Sequence, residues 1–355
     1  MMPTTAQSAR EALPEVRLDW NGWMSNLRRQ GTPERVYYFE HGVADNVQAA
    51  IAAEAGVWEG MAGQSPEAEW KRREAMHAYL GQELFRVFPP GARIVPPKRE
   101  GQWAEETKGI ITTWEEFERY DWPDPAAADY AVLEYFEREL RDNMRVFHVV
   151  DIWEVVVGFF GFESLAYAVY EDRALVRAMF DKVGAFVAAV AETVCDFDCY
   201  GAVYLGDDLA FKTSLFMSPD LLRELIIPWH QRIADIAHAH GKLFLFHCCG
   251  NMYPLIDEYI DHVRIDAKHS FEESVLPVTE VKHRYGKRLT LLGGMDVDFL
   301  ARATPDRIEA KTNEILTACM PGGGYFLGSG NWVTEYIPPE NYLAMLRAAR
   351  RFTST

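Results

Sequence analysis

Residues 200–250, YGAVYLGDDLAFKTSLFMSPDLLRELIIPWHQRIADIAHAHGKLFLFHCCG, contain two apolar runs separated by a segment with helical signals. The runs YGAVYLGDD (200–208) and KLFLFHCCG (242–250) are nearly continuous in apolar residues before they end in polar ones. This is the pattern of parallel strands that are covered on both faces. Ser218-Pro219 predicts the start of a helix, because Ser caps a first turn and Pro fits it, and Gly241 predicts its end. The stretch is therefore predicted to be one strand–helix–strand unit.

The same alternation continues on both sides of this unit. A long helical region is predicted from about Asn46 to Phe85, followed by a weak strand at ARIVPP and an irregular excursion within 89–124. Further strands are predicted at RVYYFEHG (35–42), VFHVVDIWE (146–154), VRIDAKHS (263–270), LTLLGGMD (289–296) and GYFLGSGN (324–331).

Roughly eight such units on one chain favour an α/β protein of the (β/α)8 TIM barrel class over an open doubly wound sheet. No GxGxxG motif follows the first strand, which disfavours a dinucleotide-binding fold. We expect residues 1–32 to form an irregular N-terminal extension and residues 33–355 to form a single barrel domain.

The composition is that of an ordinary globular protein with an acidic surface. Hydrophobic residues make up 48% of the 355 residues, charged residues 25%, and the formal net charge is −17. This charge disfavours nucleic acid and anionic membranes as partners, and no apolar stretch has the length of a membrane span. The N-terminus lacks the pattern of a signal peptide, and five cysteines do not suggest a disulfide framework. We expect a cytoplasmic protein with reduced thiols.

Almost every predicted strand ends in polar residues. These ends are Glu40-His41, Asp151, Asp207-Asp208, His247-Cys248-Cys249, Asp266-Lys268-His269, Asp296 and Ser329-Asn331. One polar residue at a strand end is usually a helix cap or part of a turn. In a parallel barrel, however, the carboxyl ends of all strands meet at one rim, where catalytic groups collect. The set as a whole predicts an active site there.

His247 and Cys249 are the sharpest element of this rim. Residues two apart on an extended strand point to the same side, so this pair can present an imidazole nitrogen and a thiolate to one zinc ion. The candidates for further zinc ligands are the strand-end residues Glu40, Asp266, His269 and Ser329. The alternative is that the cysteines are small buried hydrophobic residues beside a hydrogen-bonded histidine, and the spacing leaves both open.

The adjacent carboxylates Asp207 and Asp208 point to opposite sides of their strand, so only one faces the barrel mouth. We assign the inward role to Asp207 as a general acid/base, together with His247 and Asp296. Trp153 is a candidate wall for a planar ligand, and Lys212 is a candidate cation near the mouth. Contacts to substrate are assigned to Glu40, His41, Asp151, Trp153, Asp208, Lys212, His269, Ser329 and Asn331. His230 lies on a helix whose outer face we expect to be solvated.

Several blocks resemble the uroporphyrinogen decarboxylase superfamily, which includes the decarboxylases and the methylcobalamin-dependent methyltransferases that serve coenzyme M. The blocks are GDDLAFKTSLFMSPD, HAHGKLFLFHCCGN, RYGKRLTLLGGMD, TPDRIEAKTNEI and GGGYFLGSGN…IPPENYLAM. The resemblance runs from near Asp151 to the C-terminus, and before that only TPERVYYFEHG matches, loosely. It implies a (β/α)8 barrel and, since dimers are common in the superfamily, a possible homodimer.

The resemblance also separates the branches of the superfamily. The decarboxylases grip substrate carboxylates with an N-terminal motif of the kind RQAGR, which we do not find, so haem-pathway decarboxylation is not expected. In the methyltransferases an H-x-C pair and a later cysteine bind the zinc that activates the acceptor thiol. His247 and Cys249 match the pair, whereas Ser329 stands near the later cysteine, and a serine hydroxyl is a poor zinc ligand. We therefore expect Glu40 or His269 to complete the site.

Three functions follow as expectations. The first is a zinc-assisted methyltransferase or demethylase that acts on a small molecule with a corrinoid presented by a partner carrier protein. The second is a metal-free decarboxylase of a small carboxylated aromatic or pyrrolic substrate, with Asp207 facing its N–H groups or a developing cation. The third is a non-catalytic barrel that binds a corrinoid or a tetrapyrrole, although the many ionisable groups of the rim disfavour it.

Overall fold

The structure is a computed structural model that describes residues 13–97 and 109–353. Its strands are β1 Leu84–Arg86, β2 Arg145–Val150, β3 Tyr200–Gly206, β4 Leu243–His247, β5 Ala267–His269, β6 Thr290–Leu292 and β7 Tyr325–Phe326. Hydrogen bonding follows the order of the sequence, from β1 to β7. Helices connect most of these strands, as parallel neighbours require, so the predicted α/β class is confirmed. Closure into an eight-stranded barrel stays a prediction.

By compactness the chain divides into two units. The first comprises Met1–Phe85, Leu140–Arg145 and His269–Thr355, and the second comprises Arg86–Glu139 and Val146–Lys268. The domain bounds expected from the sequence, 1–32 and 33–355, stay a prediction. Residues 1–12 of the expected extension and 98–108 of the irregular excursion lie outside the described residues.

The helices are distributed over both units. In the first unit they are α1 Trp20–Leu27, α2 Asp45–Ala55, α3 Pro66–Leu80, α12 Val278–Tyr285, α13 Val297–Arg302, α14 Pro305–Cys319 and α15 Pro339–Arg351. In the second they are α4 Trp114–Arg119, α5 Ala131–Glu139, α6 Trp153–Phe160, α7 Phe162–Glu171, α8 Arg173–Cys195, α9 Pro219–Leu225, α10 Ile227–Ala239 and α11 Ile256–Glu258. Short 3-10 turns lie at Pro125–Ala127 and Tyr253–Leu255, and a π-helical turn at Tyr259–Val263.

The helical connection between β3 and β4 begins and ends as the sequence predicts. The Ser218 hydroxyl accepts a hydrogen bond of 3.3 Å from Leu221 N–H, and Gly241 follows the end of α10 with a φ of 69°, which suits glycine. The connection is nevertheless two helices, because Pro228 lies in the first turn of α10 and has no N–H to continue the bonding of α9.

In the second unit, β2, β3 and β4 are parallel and fully in register at their carboxyl ends. Val150 pairs with Leu205, Leu205 with Phe246, and Gly206 with His247. Every residue of β3 and β4 is buried, as their continuous apolar runs predict. The register therefore brings Asp151 and His247 level with Gly206, and Asp207 follows one residue later.

In the first unit, β6 and β7 are parallel, with Leu291 paired to Tyr325. The segment predicted as the first strand, 35–42, runs alongside β7 through a parallel bridge between Tyr38 and Leu327. Phe39 N–H donates to the carbonyl of Leu327 at 3.0 Å. The predicted extended segment is therefore present, although its regular pairing is short.

The prediction of a weak strand at ARIVPP (92–97) is wrong. These residues are a turn and irregular chain, and the strand in this part of the molecule is β1 at Leu84–Arg86. The long helical region predicted from about Asn46 to Phe85 is instead two helices, α2 and α3. The second ends at Leu80, where Gly81 adopts a left-handed φ of 82°, a conformation that stops helices.

Candidate functional site

Three strand ends of the second unit bring polar residues to one level. Asp207 follows β3, and its N–H donates to the carbonyl of His247 at 3.1 Å. The backbone of Asp208 is therefore fixed beside the chain that leaves β4 as Cys248-Cys249. Since adjacent residues of an extended chain point to opposite sides, the two aspartates enter different surroundings.

Asp208, His247 and Cys249 form a cluster, which we call the metal trio. One ligand atom from each lies within 4.8 Å of those of the other two. His247 Nε2 is 3.4 Å from Cys249 Sγ and 3.6 Å from Asp208 Oδ1. Asp208 Oδ1 also accepts a hydrogen bond of 2.6 Å from Cys249 N–H. Among the described residues this is the group of three His, Cys, Asp or Glu side chains that fits one metal ion.

The surroundings of His247 suit a metal ligand. Its Nδ1 lies 3.0 Å from the hydroxyl of Tyr204, so the second ring nitrogen is held while Nε2 faces Asp208 and Cys249. Ligating histidines are usually oriented by such a partner. Burial lowers the pKa of His247 below its usual range, against the opposing charge of Asp208, which favours the neutral imidazole that a metal requires.

The donor set of the metal trio is compatible with zinc. Zinc accepts imidazole nitrogen, thiolate sulfur and carboxylate oxygen, and three protein ligands with an open fourth position are typical of catalytic zinc. Asp208 is about a third exposed and His247 is nearly buried, with side-chain exposures of 38% and 9%. The trio therefore has one solvated side, as an open coordination position requires.

Asp207 is fully buried, and both of its carboxylate oxygens are engaged. Oδ1 accepts hydrogen bonds from Ile152 N–H and Trp153 N–H at 2.8 and 2.9 Å, which satisfies donors at the start of α6. Oδ2 lies 2.8 Å from His230 Nε2, and His230 Nδ1 lies 2.8 Å from the hydroxyl of Tyr259. Both carboxylate oxygens of Asp207 are therefore bonded to protein groups.

Two further carboxyl groups of this region have raised pKa values. Burial raises the pKa of Asp151 to about 7, against the opposing charge of Arg93, with which it forms an ion pair. Loss of hydration raises the pKa of Glu154 to about 8, and the charges of Asp208 and Asp207 add to the shift. Solvent reaches Glu154, and its Oε1 accepts a hydrogen bond of 3.2 Å from Asp208 N–H. A pKa in this range makes Glu154 a candidate proton donor beside the metal trio.

A short hairpin, residues 209–216, stands beside the metal trio. Ala210 and Leu215 form an antiparallel bridge, and the carbonyl of Phe211 accepts a hydrogen bond of 2.7 Å from Asn251 N–H. Gly250 packs so closely that a Cβ there would lie 2.2 Å from the carbonyl oxygen of Ala210. The hairpin tip is exposed and includes Phe211 and the predicted cation Lys212.

Two other predicted residues of this unit lie in the core. Trp153 is 3% exposed and its ring is parallel to those of Phe216 and Phe180, with centroids 5.8 and 6.4 Å away. Cys248 is fully buried, and its sulfur accepts a hydrogen bond of 3.3 Å from Leu209 N–H. Cys248 thus points away from the partners of Cys249, in agreement with strand alternation.

In the first unit, Glu40 and Ser329 are bound to each other. Glu40 is 3% exposed and accepts hydrogen bonds from Ser329 N–H at 2.9 Å and from the Ser329 hydroxyl at 2.6 Å. Burial raises the pKa of Glu40 to about 8, while hydrogen bonds from Ser329 and Tyr342 oppose the shift. Gln82 Nε2 donates to the Tyr342 hydroxyl at 3.3 Å, which extends a buried polar chain away from Glu40.

The remaining predicted residues of the first unit lie around this chain or at a helix start. The rings of His41 and His269 are stacked, with centroids 5.9 Å apart, and His269 Nε2 is 3.4 Å from the carbonyl of Ser329. Asn331 is half-buried. Asp296 caps α13, because its Oδ1 accepts a hydrogen bond of 2.9 Å from Phe299 N–H. The catalytic and substrate-binding roles assigned to these residues stay predictions.

The structure adds residues to the site that sequence reasoning did not assign there. Asp208 was expected to contact substrate, yet it lies with His247 and Cys249. Tyr204 and Glu154 belong to no sequence motif, although Tyr204 lies three residues before Asp207 and Glu154 three residues after Asp151. His230 is fully buried rather than on a solvated helix face, because it pairs with Asp207.

Comparison with known proteins agrees with this architecture. The sequence model of the family described as "Uroporphyrinogen decarboxylase (URO-D)" matches residues 105–352. A solved methyltransferase from Methanosarcina mazei is similar in fold, with a TM-score of 0.67 at 18% identity, over 94% of this chain and 98% of that one.

Curated relatives match at low identity. The uroporphyrinogen decarboxylase of Shewanella loihica is 22% identical over 208 residues, which cover 54% of this chain and 53% of the relative. That of Cellvibrio japonicus is 35% identical over 71 residues, or 20% of each chain. The chain thus spans about half the length of the Shewanella relative, and less of the other.

Within residues 13–97 and 109–353, no helix is both long enough and apolar enough to cross a bilayer.

Proposed function

Because the chain belongs to the uroporphyrinogen decarboxylase family, we propose that it is an enzyme of this family that transfers a methyl group with zinc bound by Asp208, His247 and Cys249. The observation that carries the proposal is the convergence of these three side chains, whose ligand atoms lie within 4.8 Å of one another. Glu40 and His269, the ligands expected from the sequence, belong to the first unit, and the proposal does not require them.

Zinc at this site would supply a Lewis acid that stabilises the anionic form of a methyl acceptor such as a thiol. The protein's own groups prepare the site. Tyr204 fixes the ring of His247 through Nδ1, and Cys249 N–H orients the carboxylate of Asp208. Glu154, whose Oε1 accepts from Asp208 N–H, holds the proton that is exchanged when an acceptor binds or a product leaves.

The methyl donor in this proposal is a corrinoid presented by a carrier protein, and the acceptor is a small molecule. The similarity in fold to a methyltransferase supports methyl transfer. The acidic charge of −17 would favour a partner with a basic docking surface. Transfer forms the bond from the methyl carbon to the acceptor and breaks its bond to the donor, with the electron pair left on the donor.

A metal-free decarboxylase of a small carboxylated aromatic or pyrrolic compound is the second candidate. The raised pKa of Glu154, about 8, favours it, since a protonated carboxyl can supply the proton that replaces the departing carbon dioxide. The curated relatives are decarboxylases as well. In this candidate Glu154 is the proton donor, whereas Asp207, which the sequence analysis placed against substrate N–H groups or a developing cation, has its oxygens engaged by backbone N–H groups and His230.

Metal content separates the two candidates. Untagged wild-type protein, Cys249→Ser, Asp208→Ala and the matched control Cys248→Ser are purified without chelators, reconstituted with zinc and analysed by mass spectrometry. We expect about one zinc per chain in wild type and Cys248→Ser, and loss of zinc in the other two.

The other outcomes are equally decisive. A wild-type protein that binds no zinc would overturn the methyltransferase proposal, and decarboxylation of small aromatic and pyrrolic acids would be assayed next. Tight capture of a corrinoid or tetrapyrrole without any turnover would identify a binding barrel instead of an enzyme.

A further inference from the structure

Lys268 is a buried lysine beside the metal trio. It lies in β5, is 1% exposed, and its Nζ donates a hydrogen bond of 3.1 Å to the carbonyl of Cys248. Cys248 stands between His247 and Cys249 in the sequence. This bond therefore holds the backbone that joins two of the three metal ligands.

The charge of Lys268 complements the metal trio. Asp208 and Cys249 bind a metal as a carboxylate and a thiolate, so two of the three ligands are anionic. A lysine is rarely buried unless negative groups compensate its charge. The hydrogen bond to the carbonyl of Cys248 places the ammonium group beside the chain that carries His247 and Cys249.

We propose that Lys268 is a positioning residue of the metal site, which orients the His247–Cys249 segment and offsets the negative charge of the ligands. The inference rests on the proposed function, since it requires that the trio binds a metal. Lys268 acts through the backbone of Cys248 and through its charge, and it needs no contact with substrate.

The test is a titration of metal-free protein with zinc, and with cobalt as a spectroscopic probe. Lys268→Met removes the hydrogen bond and the charge, and we expect the dissociation constant for zinc to rise by about 10- to 100-fold, the usual effect of losing a group behind the ligands. Lys268→Arg keeps the charge and is expected to restore most of the affinity. The thiolate-to-cobalt absorption band, which reports the Cys249 bond, should weaken in Lys268→Met.

A matched control is available in Lys282→Met. Lys282 also donates from Nζ to a backbone carbonyl, that of Gly323, but it belongs to the first unit, and its replacement should leave zinc affinity unchanged. Unchanged affinity and an unchanged cobalt spectrum in Lys268→Met would overturn the role of Lys268 alone. Absence of binding by wild-type protein would overturn the proposed function itself. If Lys268→Met does not fold, Lys268→Gln replaces it, and the same changes in zinc affinity and cobalt spectrum are expected.

Discussion

His230 Nε2 lies 2.8 Å from Asp207 Oδ2, and neither side chain is exposed. The pair joins α10 to the end of β3, and the hydroxyl of Tyr259 extends it on the far side of the histidine ring. Removal of either partner leaves the other buried with one hydrogen bond fewer, and an unsatisfied buried polar group lowers the free energy of unfolding.

His230→Ala is therefore expected to destabilise the fold strongly. It leaves Asp207 Oδ2 and the Tyr259 hydroxyl without this partner and opens a cavity, so we expect a loss of about 3 kcal/mol or more in the free energy of unfolding. Urea unfolding followed by circular dichroism measures it. His240→Ala, at a half-buried histidine near the end of the same helix, is the control and should change stability by about 0.5 kcal/mol. A loss below about 1 kcal/mol in His230→Ala would contradict the argument.

Tyr204→Phe is expected to weaken zinc binding by about 10- to 100-fold without loss of fold, because the ring of His247 loses the partner of its Nδ1. Calorimetric titration measures this. Tyr200→Phe is a close control: Tyr200 is on the same strand, is also fully buried, and its hydroxyl likewise lies 2.8 Å from a histidine Nδ1, that of His148. Equal effects of the two substitutions would show that Tyr204 has no special relation to the metal.

The raised pKa of Glu40 predicts a pH dependence of stability. The unfolded chain ionises Glu40 from about pH 4.5, whereas the folded protein keeps it protonated up to about pH 8. Between these values the unfolded state binds fewer protons, so this group lowers the free energy of unfolding as pH rises, by at most about 1.4 kcal/mol per pH unit.

Glu40→Gln removes this ionisation. Its stability relative to wild type should therefore increase between pH 5 and pH 8, which urea unfolding at several pH values would record. The exposed Glu335→Gln serves as control and should give a constant difference. A constant difference for Glu40→Gln as well would mean that Glu40 is ionised in the folded protein across this range.

Asp296 has two separable roles, one observed and one predicted. As the cap of α13 its carboxylate accepts from Phe299 N–H, so Asp296→Ala should cost about 1 kcal/mol of stability, and Asp296→Asn less. If Asp296 is also catalytic, as the sequence suggests, Asp296→Asn should lower turnover at least about 100-fold while the protein stays folded. Thermal unfolding and a single-turnover assay measure the two effects. Full activity of Asp296→Asn would leave only the capping role.

The sequence predicted the elements whose signals are local. β3 and β4 follow from continuous apolar runs, and the helical connection between them from Ser218-Pro219 and Gly241, because caps depend on residues within one turn. β1 was missed for the opposite reason. Leu84–Arg86 is three residues long, too short for a period to appear, and its identity as a strand depends on pairing with residues far along the chain.

The candidate site was predictable only where one strand determines the geometry. His247 and Cys249 share a side because they are two residues apart. Which of Asp207 and Asp208 faces them depends on the register of β3 against β4, which a single sequence does not contain. The burial of His230 likewise depends on its contact with Asp207, 23 residues away. Such pairings arise from packing and leave no periodic signal.

The three residues of the metal trio all lie between residues 208 and 249, inside one strand–helix–strand segment of the chain. The candidate site is therefore contained in one continuous stretch of sequence. A single exchange of that stretch between two members of the family would carry all three residues into another protein, or remove them. We expect metal-binding and metal-free relatives to differ by such one-step replacements more often than by ligands gained one at a time.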